Sequence, residues 1–268
     1  MEEKLRKLKD ILRQMKSVVV AYSGGVDSSF LLQVAKDTLK ENVLAVTAVS
    51  LTYPARELEE AKKIAKMLRV KHILIETGEL ENPQFASNSP ERCYFCKNEL
   101  FSKLKKLAKE NNIEQVIDGS NADDVKDLRP GMRAAKELGI RSPLQEAKLT
   151  KKEIRTLSKK SGLVTWNKPS FACLSSRFPY GTKINKEDLA RVSKAEDFLK
   201  NLGILQVRVR HYNDTVRIET LPEDMPKFFE SKIRQRILRE FKKLGYTYIT
   251  VDLEGYRTGS MNEVLKIK

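Results

Sequence analysis

Apolar runs rich in β-branched residues alternate with amphipathic stretches through the first two thirds of the chain. Residues 1–15 carry a helical pattern, and 17–22 read as a buried strand running into Ser23-Gly24-Gly25-Val26-Asp27-Ser28-Ser29. A helix is predicted over 27–39, a buried strand over 42–49, a helix over 54–68 and a third strand over 71–75. A loop holding Pro83 and Pro90 leads to a helix over 93–110, and 114–118 is a fourth strand ending in Gly119-Ser-Asn-Ala-Asp-Asp124. Such alternation predicts an α/β fold, a parallel sheet with helices on both faces. Ligands of such sheets bind beyond the carboxyl ends of the strands, where both of these strings fall.

Past a turn at Arg129-Pro-Gly131 come a short helix, Ser142-Pro-Leu144 and a helix opened by Thr150-Lys-Lys-Glu153, which has capping-box spacing. Residues 166–182 read as a loop containing two prolines and Cys173, and a domain boundary is expected there, giving 1–168 and 169–268. The second part reads as a smaller α+β domain: a helix over 186–202, strands over 205–211 and 215–219, a basic helix over 226–243 and a last strand over 246–253. The sequence shows no internal repeat and no low-complexity tract.

Composition narrows the class. The chain has 268 residues, 40% hydrophobic and 32% charged, as a soluble globular protein does. No stretch approaches the ~18 to 20 apolar residues of a membrane span. The first residues alternate acidic, basic and apolar side chains without a secretory core, so a cytoplasmic location is the expectation. A net charge of +15 favours anionic ligands, although runs such as Lys103-Leu-Lys-Lys-Leu-Ala-Lys109 also suit a solvated face. Three cysteines are too few, and odd in number, for a disulfide framework.

The Gly-Gly string sits between a strand and a helix. There glycines allow close backbone approach, and the unpaired amides of the helix start, with Ser23, Ser28 and Ser29, can surround an anion. Asp27 repels bare phosphate, so it calls for a bridging Mg²⁺ or a capping role. Asp123 and Asp124 supply carboxylates for a metal or form an Asx-rich turn that caps the next element. Cys93-Tyr-Phe-Cys96 puts two sulfurs one helical turn apart at a helix start. By itself this pair is compatible with redox chemistry, half a zinc site or core packing. His72, in an apolar run, reads as a packed residue. Cys173 lies in Lys168-Pro-Ser-Phe-Ala-Cys-Leu-Ser-Ser-Arg-Phe-Pro-Tyr-Gly181 with cations nearby, either an activated thiolate or a small buried residue. Two cysteines plus one suit a 4Fe–4S cluster with one iron left open to an added sulfide. Arg208 and Arg210 alternate with valines, so both leave one face of a strand.

Taken together, the motifs resemble a family. SGGVDSS resembles the PP-loop of ATP pyrophosphatases and lacks the Lys of a Walker A loop, and Gly119–Asp124 resembles their second turn. With Arg92-Cys-Tyr-Phe-Cys-Lys97, the Cys173 loop and Asp252-Leu-Glu-Gly-Tyr-Arg-Thr-Gly-Ser-Met-Asn262, the whole chain is similar to the LarE family of ATP-dependent sulfur transferases. The resemblance implies a PP-loop, adenine nucleotide alpha hydrolase-like domain followed by the smaller one. It implies adenylation of the carboxylate of a pyridinium dicarboxylate mononucleotide and its conversion to a thiocarboxylate, in nickel-pincer nucleotide synthesis.

The same resemblance assigns ATP with Mg²⁺ to Ser23, Gly24, Gly25, Asp27, Ser28, Ser29 and Asp123. It assigns a 4Fe–4S cluster to Cys93, Cys96 and Cys173, the last also matching the sulfur-donor cysteine of a branch that sacrifices it. Ser176 and Arg177 are candidate catalytic residues, and Arg208, Arg210, Glu196 and Arg257 candidates for holding substrate phosphate and carboxylate. Sulfide or a sulfur donor, the other enzymes of nickel-pincer synthesis and a homo-oligomer (dimer, trimer or hexamer) are the implied partners; neither membrane nor nucleic acid is expected. Two competing readings are a PP-loop iron–sulfur tRNA thiolase, which the basic charge would suit, and a non-catalytic ATP or iron–sulfur sensor. Against the thiolase, the chain has no second CxxC and no recognisable RNA-binding module.

Overall fold

In the computed structural model, residues 1–126, 130–169, 171–257 and 259–265 are described. Arg129 of the predicted turn, Ser170 of the Cys173 loop and Thr258 of the C-terminal motif lie outside them. The chain divides into two units, one of residues 1–85 and 90–171, the other of 86–89 and 172–268.

The first unit runs α1 (Glu2–Met15), β1 (Val18–Ala21), α2 (Val26–Leu39), β2 (Val43–Val49), α3 (Ala55–Met67) and β3 (Lys71–Glu76). After a short turn α4 (Pro83–Ala86) come α5 (Arg92–Glu110), β4 (Gln115–Ile117), α6 (Pro130–Glu137), α7 (Pro143–Glu146) and α8 (Lys151–Lys160). The strands form one parallel sheet in the order β3-β2-β1-β4, with Val18 level with both Val43 and Gln115. Successive side chains of β1 serve opposite layers. Val18 and Val20 pack in a core with Leu8 and Leu12 of α1, Phe30 of α2 and Ile154 of α8, whereas Val19 packs with Phe101 and Leu104 of α5. Burial on both faces is why β1 and β2 are continuous apolar runs. The order reverses at β1, which makes the carboxyl ends of β1 and β4 the switch point of the sheet.

In the second unit, α9 (Lys186–Asn201) precedes β5 (Val207–Tyr212), β6 (Thr215–Thr220), α10 (Ser231–Lys243) and β7 (Tyr248–Val251). The β5–β6 pair is antiparallel, and β7 joins β6 in parallel. The basic helix starts five residues later than its composition suggests. Pro222–Phe229 takes a tighter 3-10 form with Pro226 inside it, a residue without an N–H to continue an α-helix. Residues 86–89 join this unit through backbone bonds, Gly181 N to Asn88 O at 3.1 Å and Ile184 N to Ala86 O at 2.8 Å. Among the described residues no helix is long and apolar enough to cross a membrane.

Candidate functional site

The loop between β1 and α2 is built as an anion cradle. Gly24 has φ +63°, a left-handed conformation, and a Cβ on it would stand 2.8 Å from Ala61 Cβ of α3. Gly25 caps α2 with extended backbone, and Ser29 N donates to its carbonyl at 2.9 Å. Ser28 Oγ accepts from Ser23 N at 3.3 Å and lies 3.1 Å from Ser23 Oγ. Ser29 is fully buried in the packing of α2. Gly119, at the end of β4, comes close as well: a Cβ there would lie 3.1 Å from Ser28 N. The chains leaving β1 and β4 therefore touch at the switch point.

Asp27, one residue into α2, pairs through Oδ2 with Lys151 of α8. Its other oxygen, Oδ1, is buried without a hydrogen-bond partner. Burial raises the Asp27 pKa more than Lys151 lowers it, with Asp124 adding to the rise. A buried carboxylate oxygen with one lone-pair side unused suits a hard divalent cation bound beside phosphate. Asp123 Oδ2 accepts from Lys151 N at 2.8 Å at the start of α8. The capping box forms as expected: Glu153 N donates to Thr150 Oγ1 at 3.3 Å, and Thr150 N to Glu153 Oε2 at 2.9 Å. His72 is a packing residue, its Nε2 lying 2.8 Å from Thr47 Oγ1 and its ring edge-on to Tyr22.

None of the three cysteines is in a disulfide. Cys93 is exposed on the first turn of α5, and Cys96, one turn on, is half-buried with its Sγ 3.7 Å from Oε1 of the buried Glu79. Cys173 belongs to the second unit. Among the described residues no three His, Cys, Asp or Glu side chains are gathered as a metal site. As a donor set, three cysteine sulfurs have the softness that an iron–sulfur cluster requires.

The Cys173 loop ends in a 3-10 turn, Leu174–Arg177. Arg177 is fully buried and all its nitrogens are engaged: Nε and Nη2 with Glu196 at 2.7 and 2.9 Å, Nη1 with the carbonyls of Ala172 and Cys173 at 2.7 and 3.0 Å. Ser176 Oγ donates to the Cys173 carbonyl at 2.9 Å, and Arg210 Nη1 donates to Ser176 O at 2.8 Å. Arg210 is itself held by both oxygens of Glu219, at 2.9 and 2.6 Å. Arg208 is buried, with its guanidinium 5.1 Å from the Tyr256 ring centre. Burial lowers its pKa, and Arg177 lowers it further. The strand face carrying Arg208 and Arg210 is therefore a buried charge network. Arg177, a catalytic candidate from sequence, and Glu196, a substrate-binding candidate, are paired with each other, and Arg177 also holds the backbone of the Cys173 loop. Arg257 is only partly buried and pairs with Glu254 at 2.9 Å and Glu263 at 3.3 Å. Glu219, which completes the Arg210 arrangement, carries no motif of its own; the pairing of β6 with β5 brings it in. Tyr53 and Lys168 lie against the PP-loop, donating to the carbonyls of Ser23 and Gly24.

A parallel sheet with SGGVDSS at its switch point defines a PP-loop domain, the class that works with ATP and Mg²⁺. Residues 2–111 match the family model described as NAD synthase. The chain is 39% identical over 255 residues to the pyridinium-3,5-bisthiocarboxylic acid mononucleotide synthase of Lactiplantibacillus plantarum, covering 95% of this chain and 92% of that one. It belongs to that protein's family, the LarE family, as its motifs suggested. Uncharacterized proteins of Synechocystis (44% over 265 residues, 99% of each chain) and Methanocaldococcus jannaschii (33% over 262 residues, 96% and 98%) are also similar.

Proposed function

We propose that this protein activates a carboxylate of a pyridinium dicarboxylate mononucleotide with ATP and converts it to a thiocarboxylate in nickel-pincer nucleotide synthesis. The observation that carries this reading is the match to the Lactiplantibacillus synthase along 95% of the chain, with the PP-loop string intact. A carboxylate oxygen attacks the α-phosphorus of ATP and pyrophosphate leaves. Sulfur then adds to the acyl carbon, and AMP departs with the former carboxylate oxygen. Splitting the exchange this way replaces a poor leaving group with a good one.

The first unit supplies the nucleotide chemistry: the amides at the start of α2 bind phosphate, and Asp27, whose Oδ1 is buried without a hydrogen-bond partner, would hold Mg²⁺, which would neutralise phosphate charge. The second unit supplies acceptor binding. Arg208 is a candidate there, buried on the strand with its guanidinium beside the Tyr256 ring, because a guanidinium can bind phosphate with two parallel hydrogen bonds. Arg210 and Arg257 add positive charge, and Ser176 shapes the backbone at Cys173. Cys93, Cys96 and Cys173 would hold a 4Fe–4S cluster, which supplies an iron able to bind the sulfide to be transferred. Free sulfide or a carrier delivers the sulfur, a homo-oligomer is the working form, and the other enzymes of the cofactor's synthesis use the product.

The test is an anaerobic incubation with ATP, Mg²⁺, sulfide and the pyridinium dicarboxylate mononucleotide, followed by mass spectrometry. The expected result is a thiocarboxylate matched by equal AMP and pyrophosphate. Nucleotide cleavage without sulfur in the acceptor, or sulfur appearing in added tRNA instead, overturns the reading.

A further inference from the structure

Three consecutive carbonyls of the PP-loop are each taken by a donor. Tyr53 Oη donates to Ser23 O at 2.9 Å and Lys168 Nζ to Gly24 O at 3.2 Å. Gly25 O accepts from Ser28 Oγ at 3.3 Å and from Ser29 N at 2.9 Å. In a trans peptide the C=O and the next N–H point in opposite directions. Fixing the carbonyls of residues 23, 24 and 25 therefore aims the N–H groups of Gly24, Gly25 and Val26 the other way. None of those three N–H groups has an acceptor among the described residues. Successive N–H groups turned to one side form an anion-binding concavity.

The third clamp belongs to α2 itself. The first two come from elsewhere in the same unit and converge on α3. Tyr53 precedes that helix and is braced edge-on by Phe171, with ring centres 5.8 Å apart. Burial holds its phenol well above the usual range, so it stays a donor. Lys168 is held by Glu57 at 2.7 Å and Glu60 at 2.8 Å, both on α3. An ammonium has three N–H donors, and these two carboxylates with the Gly24 carbonyl account for all three. Ala61, the next residue of α3, is the one that leaves no space for a Cβ on Gly24.

We propose that Tyr53 and Lys168 are positioning residues that hold the PP-loop carbonyls away from the nucleotide and so turn the Gly24 and Gly25 amides toward its phosphates. The inference rests on the ATP reading and adds to it the groups that preorganise the phosphate site. Lys168 acts here as a three-way tie, spent on protein groups.

The experiment uses calorimetric binding of inorganic pyrophosphate to the full chain, with steady-state ATP kinetics alongside. Tyr53→Phe removes one neutral donor and is expected to weaken pyrophosphate about threefold to tenfold; Lys168→Met, which removes a charged donor, by about tenfold or more. Both should raise KM for ATP more than they lower kcat. Glu57→Gln loosens the tie without removing the lysine, and it serves if Lys168→Met fails to fold; it should weaken pyrophosphate in the same direction. Wild-type protein that binds neither pyrophosphate nor ATP sinks the ATP reading itself. Wild-type binding matched by Tyr53→Phe and Glu57→Gln at equal affinity overturns the positioning role and leaves the ATP reading standing.

Discussion

Glu196 of α9 grips Arg177 with both carboxylate oxygens, Oε1 on Nε at 2.7 Å and Oε2 on Nη2 at 2.9 Å, and the two side chains are 1% and 0% exposed. Burial alone would raise the glutamate's pKa. The adjacent guanidinium outweighs it and holds the carboxyl below its ordinary value. Removing one partner leaves a buried charge uncompensated, so Glu196→Ala is expected to cost about 3–5 kcal/mol in urea unfolding. Glu196→Ala with Arg177→Met together should recover much of that loss. The pH dependence has a definite sign: a depressed folded pKa gives stability that is present above the unfolded glutamate value and lost as pH falls through the folded one. A double variant no more stable than Glu196→Ala would show that the two residues do not act as a pair.

Gly24→Ala tests the cradle. The left-handed conformation alone costs a residue with Cβ about 1–2 kcal/mol. The new methyl also meets Ala61 at 2.8 Å. Adenylation should therefore fall by more than thermal stability accounts for, and adding Ala61→Gly should restore part of it by opening space. Unchanged pyrophosphate release in Gly24→Ala would refute the close approach.

These two sites differ in how far the sequence reveals them. The strand, the Gly-Gly turn and the helix are contiguous, and a continuous β-branched apolar run broken by two glycines before a helical stretch announces the corner. The four strands of the first unit, the capping box at Thr150 and the family follow from equally local signals. Lys168 lies more than a hundred residues from Gly24, and nothing in its surroundings says which carbonyl it ties. Similarly, Arg208 and Arg210 alternating with valines predict a face but not its burial, because Glu219 is on the neighbouring strand and Glu196 on a helix. Charge pairs made across elements have no period to read.

Asp27→Asn keeps the shape of the side chain and its place beside Lys151 while removing the charge. If Oδ1 serves the divalent ion, the Mg²⁺ concentration for half-maximal adenylation should rise by roughly tenfold or more, the effect of about 1.4 kcal/mol or more of lost ion–carboxylate attraction. Binding of the acceptor, assigned to the second unit, should be unaffected. Titrating Mg²⁺ at saturating ATP checks this, and an unshifted midpoint would leave Asp27 as a partner of Lys151 alone.

The cysteines separate two routes for sulfur. With all three as cluster ligands, anaerobically prepared protein should contain iron and acid-labile sulfide, and Cys93→Ala, Cys96→Ala and Cys173→Ala should each lose both. Cys93 and Cys96 supply two sulfurs of the three such a cluster would need, so Cys173→Ala is as informative as either. If Cys173 is instead consumed, Cys93→Ala and Cys96→Ala should still complete one turnover, and intact-mass analysis should show Cys173 lighter by the mass of H₂S. Repeated turnover with added sulfide and an unaltered Cys173 mass supports the reusable route. A single turnover ending in the lighter species excludes it.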